Sequence, residues 1–519
     1  MPRNVIRFLK LFLIFIYLTL PVTLAFDDMF VVDRNEWLFS IIILFLLIIT
    51  IQVRNQIVLT FLSLILSVPI CINAAQAASY VLQGSSFNYQ FFAHLDLSSL
   101  KLAWIAERPR LLSAILYIIL APLIVFIALK TDFRGKKQLF SKYYKQGVFA
   151  CIMLSLYATY NAPLALLFHF YTSSKVSSER ILTTIETFSK FDDKVTAGNN
   201  KNLVLIYLEG LEQNYLDEDL FPKLLPRLQE LRKSAVSFTN IKQYPGTSWT
   251  IAGLVSSQCA VPLLTNQGGN SVLKKADNPF SKVNCLAEHL KVIGYNTLFV
   301  GGASLDFAGK GRFLADNGFD QVLGYDELPS TLSHSWGLYD QKLFSHVERL
   351  FGALAAQDRP FLLSTLTLDT HHPTGHPSPN CPKFGTGDSS MLNAVHCTDK
   401  LIGEFVSNVR MSSVGENTVI VLVSDHLAMP KGVVDRLSVK DRRLLFMIID
   451  PSSELAGEYD FEASHFDIAP TILSFLGINN VEFAFGHSLM RNEQGKVVQN
   501  GLTQTDFDAF RIEHLVNRF

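Results

Sequence analysis

Asn202 to Gly210 reads NLVLIYLEG and Thr418 to His426 reads TVIVLVSDH. Each is an unbroken apolar run rich in Val, Ile and Leu, the pattern of a parallel strand buried on both faces. Each stops abruptly in groups able to ligate a metal, Glu209 in the first and Asp425 with His426 in the second. In open α/β sheets the working groups collect at the carboxyl ends of the strands. Two strand ends that deliver Glu and Asp-His therefore predict one composite metal site, and with it an enzyme.

Outward from these runs, further strand-like segments fall at 297–301, 361–367 and 443–449. Between them lie stretches such as FPKLLPRLQELRKSA (221–235) and LYDQKLFSHVERLFGALAA (338–356), whose apolar positions recur every three or four residues. The alternation predicts an α/β domain over 201–519, with a largely parallel central sheet covered by helices.

The first third is of another kind. A chain of 519 residues that is 49% hydrophobic, with mean hydropathy +0.25, is too apolar to be wholly soluble. The excess lies before about residue 172, in five stretches of spanning length at roughly 5–26, 37–53, 56–78, 111–130 and 147–170. VTLAF (22–26) resembles a signal-peptide cleavage region, but the spans that follow favour an uncleaved anchor. Arg3, Arg7 and Lys10 at the start, and Lys130, Arg134, Lys136, Lys137, Lys142 and Lys145 before the fifth stretch, predict cytoplasmic segments. Five crossings then place everything after 172 outside, in a bacterium the periplasm or cell exterior.

The expected organisation is a five-span α-helical membrane domain (1–172), an amphipathic linker (173–200) and an extracytoplasmic catalytic domain (201–519). In the linker, Ile181, Leu182, Ile185 and Phe188 would share one helical face. The net charge of −1 offers nothing to nucleic acid. Cys259, Cys285, Cys381 and Cys397 all fall in the exported part, where pairing is chemically permitted. Two disulfides are expected, one joining Cys381 to Cys397 across a short loop rich in Pro, Gly and Ser.

Four strings in the exported part follow one another in a set order: LEG (208–210), PGTSWTIAG (245–253), DTHHPTG (369–375) and SDH (424–426). WGLYD (336–340) and HFDIAPTIL (465–473) accompany them. This set resembles the alkaline phosphatase/sulfatase superfamily. Within it, the chain is similar to the membrane-bound phosphoglycerol transferases, which include lipoteichoic acid synthases and enzymes that modify periplasmic glucans. The resemblance implies that Glu209, Thr247, Asp425 and His426 hold a catalytic divalent cation and that Thr247 is also the nucleophile.

The chemistry of the residues is consistent with that. An alkyl hydroxyl is a poor nucleophile at neutral pH, and contact with a metal is one of the few ways to activate it. Thr247 follows a Pro-Gly turn and precedes a helix, whose N-terminal amides favour a phosphate; alone it would read as an ordinary N-cap. Three oxygens and one imidazole suit manganese or magnesium, and zinc tolerates them; the resemblance favours manganese, with zinc or magnesium as alternatives. His371 occupies the place of a histidine that contacts the substrate phosphate or moves protons, with His372 as its register rival. In FAGKGRF (307–313), Lys310 or Arg312 is expected to meet the donor phosphate, although Ala308 departs from the family pattern. His465 reads as a support of the metal site or as a histidine capping a helix.

Rival activities differ in single features. A sulfatase needs Cys or Ser in C/S-x-P-x-R, and Cys259 is followed instead by Ala260, Val261 and Pro262. A phosphoethanolamine transferase has a further histidine shortly after the Asp-His pair, for which LAMPKGVVDRLSVKDRR (427–443) has no counterpart. A hydrolase of the same fold would share every catalytic group, and a silent scaffold would lack some of them. The expectation is transfer of sn-glycerol phosphate from phosphatidylglycerol at the bilayer to an extracytoplasmic glycan, through a phosphothreonine, with diacylglycerol released. The alternative is phosphoethanolamine transfer to lipid A or a glycan.

Overall fold

In the computed structural model the described residues are 198–244, 246–263, 273, 283–372, 374–385, 389–429, 433–460, 462–478, 481, 483 and 485–490, and, nearer the start, 12–14, 16–18, 41–42, 56–83, 112, 115–127 and 129. The apolar runs become strands because helices cover them on both sides. β1 (Asn202–Leu208), β7 (Phe361–Leu366), β8 (Thr418–Ser424) and β9 (Leu444–Ile449) are buried at every position. With β2 (Val236–Lys242), β3 (Asn296–Gly301), β4 (Gln321–Leu323), β10 (Gly457–Tyr459) and β11 (Ala463–Ser464), they form a sheet in the order β10-β2-β9-β8-β1-β7-β3-β4, with β11 beside β2. β5 (Ser333–His334) and β6 (Gly337–Leu338) make a separate antiparallel hairpin.

From β8 to β4 all pairings are parallel, as the alternation predicts. β9 is different: it runs antiparallel to both β8 and β2, a direction that an apolar run cannot encode. β2 was not foreseen at all. Its sequence VSFTNIK mixes polar residues into a half-exposed strand, so it lacks the uniform apolar signature.

The longer helices packed around this sheet are α1 (Pro226–Arg232), α2 (Thr250–Cys259), α3 (Leu286–Val292), α4 (Lys310–Asp316), α5 (Asp340–Ala355), α6 (Ser390–Met411) and α7 (Ile468–Phe475). Both expected disulfides are present. Cys259–Cys285 ties the end of α2 to the start of α3, and Cys381–Cys397 ties the loop before α6 to that helix. Cys397 thus lies on a helix rather than closing the loop itself. Each link constrains the unfolded chain by about 3 kcal/mol.

The chain divides into two compact units, Met1–Phe91 with Ala103–Thr172 and Phe92–Leu102 with Ser173–Phe519. In the first, a helix covers Gln56–Gln83, over the third apolar stretch. Among the described residues no helix is long and apolar enough to cross a membrane. The stretches at 5–26, 37–53 and 147–170 and the amphipathic segment around Ile181 lie largely or wholly outside the described residues.

Candidate active site

Sheet register builds the site. Leu208 pairs with Ser424 across β1 and β8, so the next residues, Glu209 and Asp425, leave adjacent strands at one level. With His426 they form a buried cluster whose ligand atoms all lie within 4.8 Å of one another. Asp425 Oδ1 accepts from the amides of Gly210 (2.9 Å) and His426 (2.7 Å), which leaves Oδ2 with no hydrogen-bond partner. The His426 Nδ1 lies 2.7 Å from the carbonyl of Leu427. A proton on Nδ1 leaves the Nε2 lone pair facing Glu209 Oε1 at 3.2 Å and Asp425 Oδ2 at 3.5 Å.

Two buried carboxylates this close need a positive charge between them. Burial opposes charge on His426, yet the fields of Asp425 and Glu209 raise its pKa to about 10, so the Nε2 lone pair is free only where a cation takes the place of its proton. Burial and the charge of Glu209 push Asp425 well above the usual carboxylate range. The orphaned Asp425 Oδ2 and His426 Nε2, with a Glu209 oxygen beside them, fit a divalent cation: hard oxygens plus one imidazole, held by residues whose other atoms are already bonded.

Three contacts brace the cluster from behind. His465, whose Nε2 is 2.8 Å from the Asp425 carbonyl, supports the backbone of the strand end. Glu212, fully buried, receives Arg442 through both carboxylate oxygens and the amide of Ala428 at 3.1 Å, while Arg442 also reaches the Ala428 carbonyl. This pair pins the chain two residues beyond His426. Gly253 of α2 leaves room for Asp425: a Cβ there would stand 1.8 Å from its carbonyl oxygen and 2.8 Å from its carbonyl carbon. Alanine in a helix normally gains about 1 kcal/mol over glycine, but overpacking of this severity costs about 3 kcal/mol or more. Gly253→Ala is therefore expected to lower both the melting temperature and metal affinity; a melt matching the wild type would disprove the close approach.

Thr247 lies on the loop before α2, fully buried, after a turn in which Gly246 takes φ +79°. Its hydroxyl donates to the Tyr244 carbonyl at 2.7 Å and accepts from the Tyr244 amide at 3.2 Å. The hydroxyl seen against the cluster is that of Thr250, which donates to Glu209 Oε2 at 3.1 Å. Thr250 was missed in the sequence, although its place three residues after Thr247, at the start of the helix that follows, is a usable signal.

The two alternative pairs resolve by position. The half-buried His371 ring lies against Trp336, tilted by 31° with centroids 4.0 Å apart, and its Nδ1 lies 2.8 Å from the His372 carbonyl. Burial holds it below the usual histidine range against the raising field of Glu209. His372 is turned inward instead, 4% exposed, close enough to Gly210 that a Cβ there would be 3.3 Å from its Nδ1, and His371 is the more exposed of the two. Lys310 is 4% exposed and feels Glu209 and Asp425, with burial bringing it down to about 8. Arg312, expected as its equal, is on the exposed side of α4 and pairs with Asp316 at 3.3 Å. It is not brought to the cluster.

Residues 201–478 match the family model described as Sulfatase. Phosphoglycerol transferase I of Xanthomonas campestris pv. campestris is 39% identical over 303 residues, which cover 56% of this chain and 43% of that protein. Phosphoglycerol transferase I of Citrobacter koseri is 36% identical over 302 residues, 56% of this chain and 39% of that protein. The chain thus spans less than half the length of these curated relatives. A crystal structure of a protein in the alkaline phosphatase superfamily from Vibrio parahaemolyticus superposes with a TM-score of 0.50 at 23% identity, covering 61% of this chain and 79% of that one. This is a likeness of fold.

Proposed function

The chain belongs to the sulfatase family, and we propose that within it this protein is a phosphoglycerol transferase that moves sn-glycerol phosphate from phosphatidylglycerol to an extracytoplasmic glycan. The observation that carries this reading is the buried Glu209–Asp425–His426 cluster with its orphaned ligand atoms, set beside a threonine loop rather than the C/S-x-P-x-R string of a sulfatase. The names of the relatives at 36–39% identity point the same way.

Glu209, Asp425 and His426, joined by Thr247, would hold one divalent cation, manganese by the family resemblance, with zinc or magnesium as alternatives that the same donors accept. When bound, the cation supplies Lewis-acid activation of a hydroxyl and neutralises phosphoryl charge. For Thr247 to take part, its hydroxyl must leave the two hydrogen bonds that it makes with Tyr244. Its oxygen then bonds to phosphorus as the bond to the diacylglycerol oxygen breaks, and an acceptor hydroxyl later displaces the threonine. His371, neutral at working pH, is suited to take a proton from one hydroxyl and return it to another. Lys310 meets the phosphate oxygens.

The same reading retains 1–172 as a five-span anchor in the bacterial inner membrane with its N-terminus cytoplasmic, 173–200 as an amphipathic linker, and 201–519 as a periplasmic catalytic domain. The disulfides support an oxidising compartment.

Offered vesicles of phosphatidylglycerol or of phosphatidylethanolamine, with membranes of its host as acceptor, the enzyme should release diacylglycerol much faster from the first and leave glycerol phosphate on a glycan. Preference for the second would transfer the assignment to phosphoethanolamine. A pH dependence follows from Lys310. With its pKa brought down to about 8, the ammonium is present below pH 8 and is lost as pH rises through it, so KM for the lipid should climb about tenfold per unit above that point. Lys310→Arg should flatten the rise; an unchanged profile would remove Lys310 from phosphate binding.

A further inference from the structure

The WGLYD string has no role in the steps above, yet it builds a wall beside His371. The β5–β6 hairpin sits on the chain just past the carboxyl end of β3: the Leu338 amide donates to the Gly302 carbonyl at 2.9 Å, and Gly337, at φ +144°, approaches so closely that a Cβ would be 2.1 Å from that oxygen. The turn is held by the Trp336 amide donating to His334 Nδ1 at 3.3 Å. Trp336 is thereby fixed over His371 at 4.0 Å, with Phe307 edge-on to it at 6.1 Å. Alongside, His334 stacks on His376 at 4.3 Å and leans on Tyr339 at 4.9 Å.

Phe307, Trp336, Tyr339, His371 and His376 are half-buried and only the His334 side chain, 4% exposed, is closed off, so the wall is partly open around Trp336. It is also uncharged. Burial pulls His334 down to about 3 and His376 to about 4. The nearby Asp369 carboxylate is buried and occupied by the Ser378 hydroxyl at 2.5 Å and the Asp340 amide at 3.0 Å. An aromatic face with neutral polar neighbours matches a ligand that presents C–H groups on one side and hydroxyls at its edge. An ammonium would suit a bare indole, but Lys310 and a bound cation stand on the same rim and would repel it. The indole face also matches a six-membered ring better than a three-carbon chain.

We propose that Trp336 is the platform on which a sugar ring of the acceptor stacks beside His371. This rests on the transferase reading, so the test must separate the two. The full chain in vesicles of phosphatidylglycerol and phosphatidylcholine is given a linear glucose pentasaccharide or, as an acceptor with no ring, free glycerol. Trp336→Ala should raise KM for the pentasaccharide about tenfold with kcat within about twofold. Turnover with glycerol, and diacylglycerol release into water, should stay unchanged. Trp336→Phe, which keeps a ring over His371, should lose about threefold. Equal losses with both acceptors would make Trp336 a support of His371, and a raised KM for the lipid would make it a donor contact; either result overturns the proposal. If phosphatidylglycerol is no donor at all, the function reading fails. The platform is still judged by titrating the pentasaccharide into Thr247→Ala protein with and without Trp336→Ala: weaker binding in the double variant supports it, and equal binding overturns it.

Discussion

Thr247→Ala is expected to cut diacylglycerol release from labelled phosphatidylglycerol by about 10³-fold or more, leaving a folded protein that still binds metal. The hydroxyl makes two local hydrogen bonds, to the carbonyl and amide of Tyr244, whose loss costs about 1 kcal/mol of stability. A fall of that size in turnover cannot come from so small a local loss, so it would mark a missing nucleophile. Thr250→Ala is the necessary comparison, because in this structure it is Thr250 that touches Glu209. It should weaken metal binding and slow the reaction while leaving measurable turnover. Near-normal activity of Thr247→Ala, or complete loss confined to Thr250→Ala, would move the nucleophile three residues along the chain.

Asp425→Asn should lower affinity for manganese by more than about 100-fold without unfolding the domain. The amide keeps an Oδ1 to accept from Gly210 and His426, as the carboxylate does at 2.9 and 2.7 Å. What changes is Oδ2, the unpartnered ligand atom, which becomes an NH₂ that cannot bind a cation. Replacing one of two adjacent buried carboxylates also relieves their repulsion, so in chelator the variant should melt no lower than the wild type. Metal content of the purified protein and paired melts with and without chelator read both effects. Full metal occupancy in the variant would dissolve the proposed centre.

The sequence by itself determined where the Glu209–Asp425–His426 cluster would arise. Strand formation at 202–208 and 418–424 is a local property of apolar β-branched runs, and the residue that ends such a run lies at the carboxyl end of its strand whatever the rest of the chain does. Glu209, Asp425 and His426 were legible for that reason, as was the motif order around Thr247. Tertiary structure alone decided which neighbour faces inward. Lys310 and Arg312 are two positions apart on α4, about 200° around the axis, so one is buried within the field of Glu209 and Asp425 while the other is exposed and pairs with Asp316; nothing local sets that phase. His371 and His372 divide in the same way between Trp336 and Gly210. The antiparallel course of β9, the reach of Thr250 to Glu209, the grip of Glu212 and Arg442 on Ala428 and the gap that Gly253 leaves for Asp425 join residues up to 230 positions apart. Such contacts depend on register, rotamer and helix rotation, which are settled only when the whole core packs.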